Sequence, residues 1–371
     1  MSKITFSNEN VFYRELKQNV DLYFAKNNIN KSGSQKLYVK TFVLISCALS
    51  LYFILIFSDN PPLIEILFCI ILAFSLAGIG FNVMHDACHG SFSSKKWVNN
   101  LFGYTLNALG GNSHIWKSKH LTHHTFTNVD GKDDDIAKSP LLRQCESQRW
   151  LPFHRYQHIY IVLLYATSTI AWVFIFDFTK YFTRRLSGAS LNKMKLKDHV
   201  IFWLSKLVYI LFYILIPVIF KGGTRWAVGF LIVQVVIGYI LALVFQLAHV
   251  VENTCFQSKD EISKSKKSDW AEHQVYSSAN FSSDNKFLNW YLGGLNFQIE
   301  HHLFQKISHV HYPQISKIVK ETCFKFGLPY NYFPTMVDAI NSHFRVMRKL
   351  GKRPEGLQYN GTVFKLADSK F

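Results

Sequence analysis

Charge is scarce in this 371-residue chain: Asp, Glu, Lys and Arg together make up 18% of it. Soluble domains carry about a quarter of their residues as charges, so an ordinary water-soluble globule is excluded. Cysteine is sparse too. None of the six (Cys47, Cys69, Cys88, Cys145, Cys255, Cys323) forms a CxxC pair, which argues against a disulfide framework and a CxxC-held iron–sulfur cluster and for a reducing compartment. No GxGxxG run is present, so no dinucleotide fingerprint is expected. The opening stretch MSKITFSNENVFYRELKQNV has no apolar core with a small-residue cleavage pattern, and no cleaved leader is expected. Internal repeats and low-complexity tracts are also missing, and the one linker-like stretch is QSKDEISKSKKSD at 257–269.

Apolar residues are abundant instead, at 49%, with 16% aromatic and 33 Phe. The charge that remains is lopsided, 41 Lys and Arg against 24 Asp and Glu, a formal +17. Such an excess suits nucleic acid or an anionic membrane face. The apolar runs select the membrane, and no nucleic-acid partner is expected.

Four stretches are long enough to cross about 30 Å of hydrocarbon as helices: 41–58, 63–84, 201–220 and 226–249. A fifth, IYIVLLYATSTIAWVFIF at 159–176, is apolar but shorter. Arg143, Arg149 and Arg155 precede it, and Lys180, Arg184, Arg185, Lys193, Lys195 and Lys197 follow. Cytoplasmic loops carry the Lys/Arg excess, so both ends read as cytoplasmic and 159–176 reads as re-entrant or interfacial. Lys206, inside a span, is expected to snorkel or to face a protein groove. Residues 1–38 form an amphipathic segment with Val11, Phe12, Leu16, Val20 and Phe24 at helical spacing. The expected architecture is an all-α integral membrane protein: that segment, a membrane domain over 39–340 with four spans and a cytoplasmic helical cap, and a cytoplasmic tail over 341–371.

In this topology the ends of the second and fourth spans share one face, and there the histidines gather. Of 16 in the chain, His85 and His89 (HDACH) end the second span, His120, His123 and His124 sit in KHLTHHT, and His301 and His302 follow Gln298 in QIEHHLF. Positions i, i+3 and i+4 share a helix face, so each box can aim its imidazoles at one point. His249 closes the last span on the same side. A lone HxxxH is more often chance than metal. Three boxes on one face make a metal centre. Eight imidazoles exceed the four ligands of a tetrahedral zinc, so two metals fit better. Nitrogen ligands suit zinc, copper, iron or nickel, and redox chemistry on apolar substrates favours iron.

With these boxes the sequence resembles the membrane fatty acid desaturase family. The likeness runs on through HGSFS, GGNSHIWKSKHLTHHTFTNVDGKDDDI, HRYQHIY, GGLNFQIEHHLF and HVHYPQISKIV, across most of residues 5–340. The resemblance implies two irons held by His85, His89, His120, His123, His124, His249, His301 and His302, and O2-dependent insertion of a cis double bond into a long-chain acyl group carried by coenzyme A or a glycerolipid. Gln298, in place of a first box-three histidine, resembles the subgroup that desaturates between an existing double bond and the carboxyl end. Departures are Cys88 and Gln305, where long-chain members often have Asn and Pro. No HPGG motif of a fused cytochrome b5 is present, so electrons are expected from a separate ferredoxin or cytochrome b5-type donor. The basic loops would attract that donor, coenzyme A phosphates or anionic lipids, or would merely enforce topology.

Around the boxes, Asp86, Glu300 and the acidic run Asp130, Asp133, Asp134 and Asp135 are candidates to accept the second N–H of metal-bound imidazoles; a solvated turn is the competing reading of the run. Asn112, His114 and Trp116 are expected to shape the substrate tunnel or to line box two. His273 and Asn280 are read as family context rather than as ligands, and His309 and His311 as structural or surface residues. Two rivals remain. A hydroxylase, ketolase or alkane monooxygenase would use the same histidines to insert oxygen, and a metal transporter would need ionisable residues along its spans, which hold almost none.

Overall fold

A computed structural model describes residues 11–137, 140–258 and 269–354. Most of the linker-like stretch, the first ten residues and the tail beyond 354 lie outside the described residues.

Among the described residues, four helices are long and apolar enough to cross a membrane: Gln35–Phe57, Pro62–His89, Leu196–Lys221 and Gly223–His249. Each extends beyond the stretch its apolar run predicts, because polar residues at the ends continue the turn. Their outer faces carry large bare apolar side chains, with Phe42, Leu63, Leu207 and Ile219 at 72, 76, 63 and 75% exposed. In water such a surface would aggregate; against lipid tails it is solvated. Their inner faces interlock through Leu44, Ala48, Leu72, Leu76 and Val233, which knit the first, second and fourth spans together.

The second span starts on Pro62, whose missing N–H costs nothing at a first turn. Near its far end, Gly80–Met84 widens into a π-type turn before His85–His89 resumes the α-helix. Such bulges re-aim side chains at functional sites. Gly90, at φ 78°, takes the left-handed position that ends the helix just past His89.

The apolar stretch at 159–176 lies within a helix pair, Pro152–Ala166 and Ser168–Thr183, bent by 64°. Lys206 faces protein rather than snorkelling. Its Nζ lies 2.9 Å from Asp177 Oδ2 and donates to the carbonyls of Gly110 at 2.6 Å and Val173 at 3.0 Å, tying the third span to the bent pair and to the chain entering box two.

Above the spans on the histidine-bearing side, the N-terminal helix Val11–Lys26 buries Phe12, Leu16, Val20 and Phe24 against Ile315 and Val319 of helix Tyr312–Lys325 and Ile299 and Leu303 of box three. Its apolar stripe therefore serves the cap core, while Val11 stays exposed. The helix Met336–Gly351 runs across residue 340, where the reading from sequence placed a boundary. Its buried Met347 and His343 belong to the same core as the bent pair, with His343 Nε2 2.7 Å from the Tyr165 hydroxyl.

Breaking a buried ion pair from one side costs about 3–5 kcal/mol, because the partner's charge stays uncompensated. Lys206→Met should therefore lower the thermal midpoint of the detergent-solubilised protein clearly, and adding Asp177→Asn should recover most of the loss. Equal midpoints for the wild type and the single variant would contradict the pairing.

Candidate metal centre

Three local folding decisions bring the boxes together. Box one occupies the end of the second span beyond the π-type turn. Box two lies on helix Ser113–Thr125, whose first turn is capped by Asn112, its side-chain oxygen accepting from the Ile115 N–H at 3.0 Å. Box three is the short helix Gln298–Leu303, reached through Gly293 and Gly294, both at positive φ. A Cβ on Gly293 would meet the Phe81 carbonyl oxygen at 2.5 Å, so this turn packs directly on the π-type turn below box one.

The imidazoles converge in two adjoining groups. One ring nitrogen from each of His85, His89, His120 and His301 lies within 4.8 Å of the others, and so does one from each of His123, His249 and His302. His124 stands between them, its ring centroid 4.5 Å from His301 and 4.3 Å from His302. Its Nε2 is 3.0 Å from His120 Nε2, which is itself 2.9 Å from His89 Nε2. Seven of the eight rings are buried; His89 is half-buried.

Hydrogen bonding around the rings has a direction. The Nδ1 atoms of His123, His249, His301 and His302 reach outward to Asp133 Oδ2 at 2.9 Å, the Ser277 carbonyl at 3.2 Å, the Tyr312 hydroxyl at 3.2 Å and Gln274 Oε1 at 2.7 Å. Inward, His85 Nε2, His124 Nδ1, His301 Nε2 and His302 Nε2 are buried with no hydrogen-bond partner. A buried nitrogen without a partner costs about 1–3 kcal/mol. Converging imidazoles oriented from behind and unpartnered in front are the donor set of a metal site, and these residues fit one.

Protonation follows the same logic. Burial, and then the neighbouring imidazoles, hold His120, His124, His301 and His302 well below the usual imidazole range. At His123 burial pulls the same way, but the Asp133 carboxylate overcomes it and raises the pKa. His120, His124, His301 and His302 are thus neutral, as metal binding requires, whereas Asp133 favours the protonated form of His123 until a metal displaces the proton.

The remaining predicted residues spread out. Asp133 and Asp135 approach His123 at 2.9 and 3.5 Å, whereas Asp130 accepts from Ser147 and Gln148, and Asp134 from Lys180 and the Ser187 N–H. Asp86 turns away from the eight rings, accepting from the Ser308 hydroxyl at 2.6 Å and lying 3.0 Å from His309 Nδ1. Lys40 Nζ is 3.1 Å from the far side of that ring. Glu300 accepts from Asn280 at 2.7 Å and Tyr330 at 2.9 Å, and burial pushes its pKa up to about 7. Gln298 donates to the Leu295 carbonyl. His114 lies outside the cluster, its ring nitrogens near the Asn192 carbonyl and Asp198. His273 is hydrogen-bonded to the Thr127 carbonyl at 2.8 Å, and His311 reaches the Ser32 carbonyl. Gln274 and Tyr312 were missed by reasoning from sequence, although Gln274 directly follows His273 and Tyr312 directly follows His311 in HVHYPQISKIV.

Trp116 stacks on His120 with centroids 4.1 Å apart, and its other side lines an apolar cavity of about 50 Å³ with Met84, Leu106 and Trp172. A second cavity of about 270 Å³ continues toward the opposite ends of the spans, past Cys69 and Trp226 to Glu65 and Arg225. The two share Tyr213 and Gln234, and Gln234 donates to the Tyr209 hydroxyl at 2.9 Å. The two cavities mark out an apolar path, interrupted at Tyr213 and Gln234, from beside the first imidazole group toward the opposite ends of the spans.

Comparison with known proteins agrees with the site. The fatty acid desaturase family profile matches residues 61–334. The chain is 35% identical to a sn-1 linoleoyl-lipid 6-desaturase of Synechocystis sp., over 94% of this chain and 98% of the relative. It is 33% identical to another sn-1 linoleoyl-lipid 6-desaturase, from Arthrospira platensis, over 95% and 96% of the two chains. An acyl-lipid (8-3)-desaturase of Physcomitrium patens is 34% identical over 92% of this chain and 72% of its own. The chain belongs to the fatty acid desaturase family, and it is a membrane-embedded oxidoreductase acting on fatty acyl groups.

Four imidazoles with lowered pKa values and one with a raised value make a prediction about pH. Below about 6.5, the unfolded imidazole value, the unfolded chain takes up protons that the four buried rings refuse, so stability falls as pH falls. His123 acts with the opposite sign, its contribution being present below that value and lost as pH rises through its folded pKa. The thermal midpoint of metal-free protein should therefore drop between pH 7 and pH 5, and His302→Gln should flatten the drop. A midpoint that holds or rises over this window would contradict the assignment.

Proposed function

We propose that this chain is an O2-dependent acyl-lipid desaturase that places a cis double bond between an existing double bond and the carboxyl end of a long acyl chain, using two irons. The observation that carries the reading is the pair of inward-facing imidazole groups at one end of an apolar path. The names of the relatives and Gln298 at the head of box three support the position of the new bond.

His85, His89, His120 and His301 would hold one iron and His123, His249 and His302 the other, with His124 between them. Bound iron supplies, with O2, an oxidant able to remove two hydrogens from adjacent methylenes. Two further electrons from a separate donor, of ferredoxin or cytochrome b5 type, and two protons from water complete the conversion of O2 to two waters. The protein's part is placement and exclusion. Trp116, Met84 and Leu106 wall the space beside His85 and His120, fixing which carbons lie there and keeping water away. Asp133, Gln274 and Tyr312 hold their rings from behind, so that the inward nitrogens need no reorganisation. The basic segments on the histidine side support a cytoplasmic active-site face.

The test is the fatty acid profile of a host that expresses the chain and is fed saturated, monounsaturated and linoleic chains. A new cis bond on the carboxyl side of an existing one is expected, and it should vanish in His302→Ala while the amount of protein in the membrane is unchanged. Hydroxylated product instead would move the assignment to an oxygen-inserting enzyme.

A further inference from the structure

The apolar path accounts for the methyl end of an acyl chain and leaves open what receives the other end. On the opposite flank of box one, a cavity of about 430 Å³ opens beside His89, the one half-buried imidazole of the eight. Four separate segments contribute lysines to its wall: Lys31 before the first span, Lys96 at the start of helix Lys96–Gly103, Lys117 of box two and Lys306 after box three. No Asp or Glu lines it. Lys31 is neutralised by Asp21 at 2.5 Å, whereas Lys96, Lys117 and Lys306 have no acidic partner among the described residues. The Ser93 loop on its rim is held by Asn99, whose side chain accepts from the Ser93 N–H at 2.9 Å and donates to its carbonyl at 2.6 Å.

Two further features describe the occupant. Helix Lys96–Gly103 bares Trp97 and Leu101, 65 and 56% exposed, beside lysines at its start. A short helix with bare Trp and Leu next to basic residues lies in a membrane–water interface, which puts the cavity at the depth of lipid head groups. Its size also discriminates. Small-molecule sites run from about 300 to 1,000 Å³, whereas a protein partner covers about 800 Å² of surface; a lysine-walled concavity of this volume suits a head group.

We infer that this crevice binds the phosphate-bearing head group of the molecule that carries the acyl chain. The inference rests on the desaturase reading and deepens it. If the new bond forms near the carboxyl end, the ester of the carrier lies within a few methylenes of the oxidised carbon. The crevice, touching His89 itself, is where that short tether leaves the head. Lys96, Lys117 and Lys306 would neutralise the phosphate, and the chain would pass His89 and His85 toward Trp116 and the apolar path.

The test is lipid retention by the full-length protein as isolated, read by native mass spectrometry from detergent micelles. Phosphatidylglycerol, monogalactosyldiacylglycerol and oleoyl-coenzyme A are offered in competition. Phosphatidylglycerol should be retained at least tenfold over the galactolipid, and Lys96→Gln/Lys306→Gln should lose that preference with an unchanged thermal midpoint. Because both side chains are exposed, folding is not at stake; Lys117→Gln provides a second reading from the inner wall. Preferential retention of oleoyl-coenzyme A, lost in the same variants, also supports a phosphate site and assigns the phosphate to a thioester carrier. Equal retention of phospholipid and galactolipid, or variants that bind as the wild type does, would overturn the inference. So would variants that keep the lipid preference and lose only reduction by an acidic donor protein, which would make the crevice a donor dock. Retention is read without turnover, so failure here leaves the product profile of a desaturase untouched.

Discussion

Burying imidazoles in a crowd is the constraint on which this structure turns. Each buried ring gives up its water, and four of them turn a nitrogen inward that no protein group satisfies. At about 1–3 kcal/mol for each, that is a large fraction of the 5–15 kcal/mol that typically holds a domain together. Bound metal at the two groups would offset that cost, because it would turn the unmet acceptors into metal–nitrogen bonds. The rest of the fold delivers and braces those rings. An even number of spans separates box one from His249, so both reach the same face, and the cap folds boxes two and three down onto them.

Bracing matters as much as delivery. A flexible imidazole in an apolar pocket would swing to find a hydrogen bond and would spoil the donor set. Here the outward nitrogens of His123, His249, His301 and His302 are engaged by a carboxylate, a carbonyl, a phenol and an amide, the carbonyl of Ser277 and the amide of Gln274 both coming from helix Trp270–Ser277. Gln274 Oε1 also accepts from the Thr127 hydroxyl at 2.7 Å, so the box-three ring is braced through the segment that follows box two. Asp86 takes a different path: with Ser308, His309 and Lys40 it locks the base of box one to the chain beyond box three and to the first span. Ring geometry is therefore set by contacts far apart in sequence.

That division explains what could be read from the residues alone. The boxes announce themselves because helical spacing is local: His120, His123 and His124 must share a face wherever the helix goes. The four spans were legible from apolar length, with helix ends misjudged where polar residues such as Gln35 and Lys221 extend the turns. His249 was legible from its place at a span end. Gln274 and Tyr312 were not, because nothing local distinguishes a glutamine that meets His302 from one that meets water. Asp86 and Glu300 sit beside histidines in sequence yet bond elsewhere, since consecutive helical positions point in different directions. For Lys206 the sequence left snorkelling and a protein groove both open, and only the packing of Asp177, on the bent helix pair, against it in the interior selects the second. The crevice beside His89 draws on four segments and has no linear signature.

Metal content and electronic state test the central claim most directly. Protein produced with iron-57 and purified under reducing, anaerobic conditions should hold two irons per chain, and its Mössbauer spectrum should divide into two components of equal area. Substituting His249 by Ala should diminish one component and leave the other. A single iron per chain, both components lost together in that variant, or zinc bound at full occupancy with no iron would contradict a two-iron centre built from these eight imidazoles.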